Sequence, residues 1–384
     1  MESNKKVWFW IAGIVVVAVV AYFWVNGSGN SSPVSGQVIK IGYVGPLSGD
    51  AAAYGQEMQK ILTYRLGQIN QEAGANGVRF EMVYEDGKCS GNDSANAFQK
   101  LVNVDGVKII LGGACSSETL GMAPLADENK VLLLSALSSN PKIEGIGAYT
   151  LSLSYSDKNV GENLAKEMSV YKKLAIITEQ NDYNVGLRDA FMGTLKQYPN
   201  AKVVADEIFP KGATDFRAML EKVKSVGPDA ILLNPNPGVT STNLLRQMAE
   251  MKNWSGFKLF GEYAYTSDSI RASSGNFSEG MIIIDSPHVN TPELLAAKDA
   301  VVKNQGGTLD NIGNYYIAST LDAINLITAL VAKDGNDATK VKDDLSTGKF
   351  KGYIGDIEFK GSNFVHLGLV GKSIVKDGKA VLQN

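Results

Sequence analysis

The chain has 384 residues, more than one ordinary domain needs and enough for two α/β lobes. Hydrophobic residues make up 44% and charged residues 20%, which excludes a disordered chain. A net charge of −3, with no alternation of aromatics and basic runs, excludes a nucleic-acid footprint.

Lys5 and Lys6 precede an uncharged apolar run from Val7 to Val25. As a helix it rises about 28 Å, close to the hydrocarbon thickness of a bilayer. Trp8, Trp10, Tyr22 and Trp24 stand near its ends, where amphipathic rings favour the interface, and the lysines should stay inside. The run therefore predicts one N-terminal transmembrane helix that anchors an extracytoplasmic chain. The alternative is a cleaved signal peptide with Val19-Val20-Ala21 at the cut, although Tyr22 to Val25 continue the apolar run beyond it. No cysteine follows the run to carry a lipid, and the short stretch before it leaves no room for a signalling domain. Asn26 to Gln37 is Gly/Ser-rich and reads as a flexible tether.

From Val38 onward β-rich runs alternate with amphipathic stretches. Val38–Val44 reads as a strand ending at Gly45-Pro46, and residues 55–73 as a helix with Met58, Ile61, Leu62, Leu66 and Ile69 on one face. Strands follow at Phe80–Tyr84, Val107–Leu111 and Val131–Leu134, with helices over Ala95–Val104 and Ser117–Asn129 between them. The rhythm restarts after Tyr155, with strands at Leu174–Thr178, Val203–Phe209, Ala230–Asn234, Leu259–Gly261 and Met281–Asp285. Asn314–Lys333 reads as a long helix, and Ile354–Phe359 with Leu367–Val375 as a late β pair. Such βα alternation predicts two doubly wound parallel sheets, hence two lobes. The first is expected over 38–155 and 286–352 and the second over 156–285 and 353–384, joined by a three-stranded hinge near Tyr155, Asp285 and Tyr353.

In open α/β sheets ligands bind beyond the carboxyl ends of the strands. Three loops there are rich in small residues: Val44 to Gly49 with Tyr54-Gly55 beyond it, Gly112 to Ser117, and Ser135 to Pro141. Open N–H groups at a helix start suit a carboxylate, with the Ser116 and Ser139 hydroxyls adding hydrogen bonds. Ser117 reads equally well as a plain N-cap, and Asp157 as an acid of a capping region rather than a ligand contact. Cys89 and Cys115 are the two cysteines; in an exported chain they suggest a disulfide worth about 3 kcal/mol, against the alternative of two buried thiols. Enzyme classes find little support. Catalysis by Cys115 needs a base, the histidines are His288 and His366 alone, and no phosphate loop, nucleophile elbow or dinucleotide fingerprint is present. No zinc set or other metal site is expected.

Asp86 to Cys89, Cys115-Ser116-Ser117, Ser138-Ser139-Asn140-Pro141 and Gln180 to Leu187 follow one another in an order that resembles the Leu/Ile/Val-binding protein family. These are type I periplasmic binding proteins of ABC transporters, and the resemblance covers residues 38–384. It implies a disulfide between Cys89 and Cys115. It implies a carboxylate site made by Ser116, the backbone near Leu137 and Ser138, and the Ser139 hydroxyl. Tyr54 would pack on the ligand from the first lobe and Tyr183 would close over it from the second. Glu262 would pair with the ligand ammonium. Plainer readings stand beside these: Tyr54 covering the first helix, Tyr183 a core aromatic, Glu262 a solvated loop acid. Two departures fall on the second lobe, Pro235-Asn236-Pro237-Gly238 where the family often has aromatics, and Tyr263 after Glu262 where it has a small residue. The expectation is a non-enzymatic, monomeric substrate-binding protein of an ABC importer. It should take a branched-chain or other small aliphatic or polar amino acid by hinge closure, hand it to a permease, and need no cofactor. The alternative is a sensing module that reports the ligand to a separate signalling partner.

Overall fold

The computed structural model describes residues 38–73, 77–251, 254–366 and 370–383. The expected membrane segment 7–25, the tether 26–37 and Leu367 lie outside the described residues.

The first half folds as β1 (Val38–Gly45), α1 (Ala52–Glu72), β2 (Arg79–Asp86), α2 (Gly91–Asn103), β3 (Ile109–Gly112), α3 (Ser116–Asn129), β4 (Leu132–Ser135) and β5 (Thr150–Ser152). These strands form a parallel sheet in the order β2-β1-β3-β4-β5. β3 and β4 read Ile-Ile-Leu-Gly and Leu-Leu-Leu-Ser and are buried throughout, as parallel strands covered on both faces must be. The strand order reverses between β1 and β3. That switch point places the loops after both strands at one crevice.

The second sheet begins after α4 (Asp157–Met168), with β6 (Lys173–Gln180), α5 (Asp182–Leu195), β7 (Lys202–Pro210), α6 (Arg217–Ser225), β8 (Ala230–Asn234), α7 (Val239–Glu250), β9 (Lys258–Gly261), α8 (Asp268–Ala272) and β10 (Ile282–Asp285). The chain then supplies α9 (Pro292–Gln305), α10 (Asn314–Asp334) and α11 (Ala338–Thr347), a hairpin of β11 (Phe350–Gly352) and β12 (Gly355–Ile357), and finally β13 (Gly371–Lys376) and β14 (Lys379–Leu382). The second sheet runs β14-β13-β10-β9-β8-β6-β7, with β13 and β14 antiparallel at one edge. α10 returns to the first lobe: Arg65 Nε of α1 donates to Asn325 Oδ1 at 2.7 Å, and Ser319 of α10 donates to Ala136 O at 2.9 Å. Each fully buried aliphatic side chain there, such as Ile317, Ile324 or Ile327, contributes roughly 1.5–3 kcal/mol.

Two expectations about the C-terminal part are corrected. Ile354–Phe359 does not pair with the strand that follows it. β12 folds back on β11, and the turn between them is pinned by Asp322, which accepts from the N–H groups of Tyr353 and Ile354 at 2.9 Å each. β13 joins β10 instead. Nor does the chain change sheets at Tyr353. Asn363 Nδ2 donates to Gly147 O and Thr150 O at 2.7 Å each, and Phe364 bridges Ser152, so the segment 353–365 completes the open edge of the first sheet. Phe364 is still with the first sheet, and Gly371 is already in the second. Buried Phe359, Phe364 and Val365 explain why the segment stays.

Candidate functional site: the cleft between the lobes

The loops after β1, β3 and β4 meet those after β6, β8 and β9 around a small cavity of about 40 Å³. Tyr54, Ser116, Ser117, Leu137, Ser139 and Tyr316 line it from the first lobe, and Asn181, Tyr183, Asn236, Pro237 and Tyr263 from the second. The lobes touch across it. Lys211 Nζ donates to Cys89 O at 3.2 Å, Tyr263 Oη to Asn311 O at 3.1 Å, and Asn140 Nδ2 to Asp182 O.

One wall is built on the disulfide. Cys89 and Cys115 are bonded, with Cα atoms 5.3 Å apart, and both are buried. Glu118 organises the two loops that carry them: Oε1 accepts from Cys89 N and Oε2 from Cys115 N, each at 3.0 Å. Burial pushes its carboxyl up to about 7, against the lowering effect of those backbone N–H groups. The Tyr54 hydroxyl sits 3.3 Å from Cys115 Sγ, so its ring covers the bond on the cleft side. Cys115, not Ser117, occupies the N-cap position of α3. Ser117 is the second residue of the helix and its hydroxyl donates to Cys89 O at 3.2 Å, which ties the helix start to the neighbouring turn. The N–H groups of Ser116 and Ser117 belong to the first turn and have no acceptor within the helix, which suits an anion.

The loop after β4 differs from expectation. Ser135 Oγ accepts from the N–H groups of Leu137 (3.2 Å) and Ser138 (2.8 Å), a local turn that takes up both donors expected for a carboxylate. The Ser138 hydroxyl turns inward to Gly113 O at 2.9 Å and is 1% exposed, so Ser138 belongs to the scaffold. Leu137 keeps its place on the cleft through its side chain. Ser116 Oγ accepts from Asn140 N at 3.3 Å. The Ser139 hydroxyl donates to Asp157 Oδ2 at 2.8 Å, which leaves its hydrogen unavailable to a carboxylate.

Three buried acids stand behind the residues that line the cavity. Asp157 opens α4, but Ser156 caps that helix, and the Asp157 carboxylate is wholly buried behind Ser139. Asp157 thus stands in the first turn beside the N-cap, in the capping region as expected. Its Oδ1 has no hydrogen-bond partner among the described residues. Burial pushes its carboxyl up to about 8, with the Asp285 charge adding to the rise and the Ser139 hydroxyl opposing it. Glu262 is likewise wholly buried, which excludes a solvated loop acid. Its Oε2 accepts from Tyr183 Oη at 2.6 Å and its Oε1 from Ala264 N at 3.2 Å. Burial holds it well above the usual carboxylate range. Asp285, at the end of β10, accepts from Tyr155 Oη at 3.1 Å and from the Ser286 hydroxyl at 2.9 Å, and burial raises it too. Among the described residues none of these three acids forms an ion pair.

Sequence reasoning named Glu262 and Tyr183 but missed Glu118, Asp285, Tyr155 and Tyr316. Glu118 carried a signal, since Cys115-Ser116-Ser117-Glu118 has the spacing of a capping box. Tyr155 lies among serines and Tyr316 in a helix of mostly apolar residues, and neither context marks a polar task.

A family model described as "Periplasmic binding protein" matches residues 38–366. The chain is similar to the leucine-, isoleucine-, valine-, threonine- and alanine-binding protein of Pseudomonas aeruginosa, 26% identical over 86% of this chain and 87% of that one. It is similar to a Leu/Ile/Val-binding protein of Rhizobium johnstonii at 26% identity over 83% and 86% of the two chains. Among solved structures, the Streptococcus pneumoniae branched-chain amino acid transporter substrate-binding protein LivJ with isoleucine superposes with a TM-score of 0.76 at 23% identity, covering 90% of this chain and 99% of that one. A solute-binding protein of an R. palustris ABC transporter with 4-hydroxybenzoate gives 0.78 at 21%, covering 90% and 96%. The chain thus belongs to the periplasmic binding protein family, with the type I two-lobed fold, and is an extracytoplasmic binding protein rather than an enzyme.

Proposed function

We propose that the cleft binds an α-amino acid as its zwitterion, with a small aliphatic or polar side chain, and delivers it to the permease of an ABC importer. The observation that carries this reading is the acidic layer: Asp157 and Glu262 lie one hydrogen bond behind the lining residues Ser139 and Tyr183, Asp285 lies behind Tyr155 and Tyr316, and none forms an ion pair among the described residues. A buried carboxylate is stable in its charged form only beside a cation, and an ammonium group supplies one. The amino acid's own carboxylate goes to the opposite wall, at the start of α3 beside Ser116 and Ser117. Glu262 is the acid that pairs with the amine, through the Tyr183 hydroxyl at the cleft surface. A simple aromatic acid fits less well, because it brings a negative charge and nothing for the acids. Lobe closure buries both charges of the zwitterion against fixed partners. In this reading the run Val7–Val25 holds the protein at the membrane face, which alkaline extraction of membranes tests.

A thermal-shift screen of the purified chain, freed of solute by unfolding and refolding, tests the assignment. The panel holds the twenty amino acids, hydroxybenzoates and sugars. At a hundred times its Kd a ligand stabilises by about 2.7 kcal/mol, so a group of amino acids should raise the unfolding midpoint by roughly several degrees. A shift confined to aromatic acids or sugars would overturn the amino-acid reading.

A further inference from the structure

Hydrogen bookkeeping at the cleft surface goes further than the charge of its acids. A tyrosine hydroxyl holds one hydrogen and donates one bond. With Asp285 charged, as it must be to face a cation, Tyr155 spends its hydrogen on Asp285 Oδ1 at 3.1 Å and Ser286 spends its own on Asp285 Oδ2, so both acid oxygens accept. Across the 2.9 Å contact between Tyr155 Oη and Tyr316 Oη, Tyr316 must then be the donor. Tyr316 Oη is left with lone pairs only. The same reasoning applies to Ser139, which donates to Asp157, and to Tyr183, which donates to Glu262. Ser139, Tyr183 and Tyr316 all line the cleft, yet all send their hydrogens away from it, Ser139 and Tyr183 to a buried acid and Tyr316 to the Tyr155 hydroxyl. Tyr316 is held in place by the edges of Tyr263 (centroids 4.9 Å apart) and Tyr315 (5.4 Å).

We infer that Tyr316, oriented by Tyr155 and Asp285, is a specificity-determining residue that completes a set of three acceptor oxygens, with Ser139 and Tyr183, matched to the three N–H bonds of a primary ammonium group. The inference rests on the amino-acid reading above and sharpens it. A secondary or N-methylated amine has fewer N–H bonds to give, so one buried acceptor goes unmet and a methyl group meets an oxygen in its place. The site is thereby selective for the degree of substitution at nitrogen, whatever side chain it accepts.

The test uses the full chain and two matched pairs, alanine with N-methylalanine and valine with N-methylvaline, in titration calorimetry of the parent, Tyr316→Phe and Tyr155→Phe. For the parent, N-methylation should weaken binding at least tenfold. Tyr316→Phe should weaken the primary amine several-fold while leaving the N-methyl compound nearly unchanged, so that the gap narrows. Tyr155→Phe, which frees the Tyr316 hydrogen, should narrow it in the same direction. Equal binding of both members by the parent, or an equal loss for both in Tyr316→Phe, would overturn the role of Tyr316. Binding of neither pair, nor of any other amino acid, would instead remove the reading on which it rests.

Discussion

The two walls of the cleft each bury an acid with a raised pKa, and they differ in where the acid's hydrogen bonds go. Glu118 accepts from the N–H groups of Cys89 and Cys115, so both oxygens are satisfied within the fold. Asp157, equally buried, receives one hydroxyl and keeps an oxygen with no partner among the described residues. Burial and pKa alone do not separate them. The satisfied acid fixes a loop, and the other keeps an unmet acceptor oxygen behind Ser139.

Substitution of each acid should break this comparison in opposite directions. Glu118→Ala leaves two buried N–H groups without acceptors, at about 1–3 kcal/mol each, so denaturant melting should show a loss of about 2–6 kcal/mol. Amino-acid selectivity should survive in whatever protein remains folded. Asp157→Asn should do the reverse. It replaces a buried acid that has no ion-pair partner, so the ligand-free protein should melt no lower than the parent, while amino-acid affinity falls by roughly tenfold, because Asp157 adds to the negative field at Glu262 where the ammonium pairs. A stability loss without an affinity loss would assign Asp157 to the scaffold.

The smallest effect is the pH dependence, and its sign differs between the free and bound protein. The Asp157 carboxyl titrates at about 8 in the fold against an ordinary 3.8, so the folded chain keeps a proton that the unfolded chain has lost between those values. Its contribution to stability is complete below about pH 4 and fades as pH rises through about 8. Glu118 and Asp322, both raised to about 7, act in the same direction. Asp285 faces Asp157 and adds to its rise. A ligand ammonium favours the charged acid, so amino-acid affinity should increase over the window in which ligand-free stability declines. Asp157→Asn should flatten the affinity trend and leave the Glu118 part of the stability trend in place. Melting and binding measured between pH 5 and 8 on parent and variant check both signs.

Much of the scaffold was legible in the residues. Apolar runs such as Ile109-Ile110-Leu111 and Leu132-Leu133-Leu134 mark strands of a parallel sheet because both of their faces are covered, and the small-residue loops mark its carboxyl edge. The C-terminal part was not, for reasons of geometry. Pairing of Ile354–Phe359 with the next strand is what sequence proximity favours, whereas Asp322, some thirty residues earlier, fixes the hairpin, and Asn363 replaces an edge strand with side-chain bonds. Motifs led to residues at the cleft, Ser116 and Tyr183 in its lining and Glu262 behind Tyr183. It was misread where hydroxyl direction decides the role. Ser139 was expected to donate to a carboxylate, and Ser138 with the Leu137 backbone to help; local turns and the buried Asp157 commit all three elsewhere. No spacing rule reports which way a hydroxyl points.

The central claim is that the acidic layer exists for an amine. Titration calorimetry of the refolded protein against an amino acid that stabilises it, and against the same molecule with the amino group replaced by hydrogen, tests this most directly. The account predicts that removing the amine weakens binding by at least a hundredfold at pH 7.5. Comparable affinity for the two compounds would contradict it, and would mean that Asp157, Glu262 and Asp285 serve the fold alone.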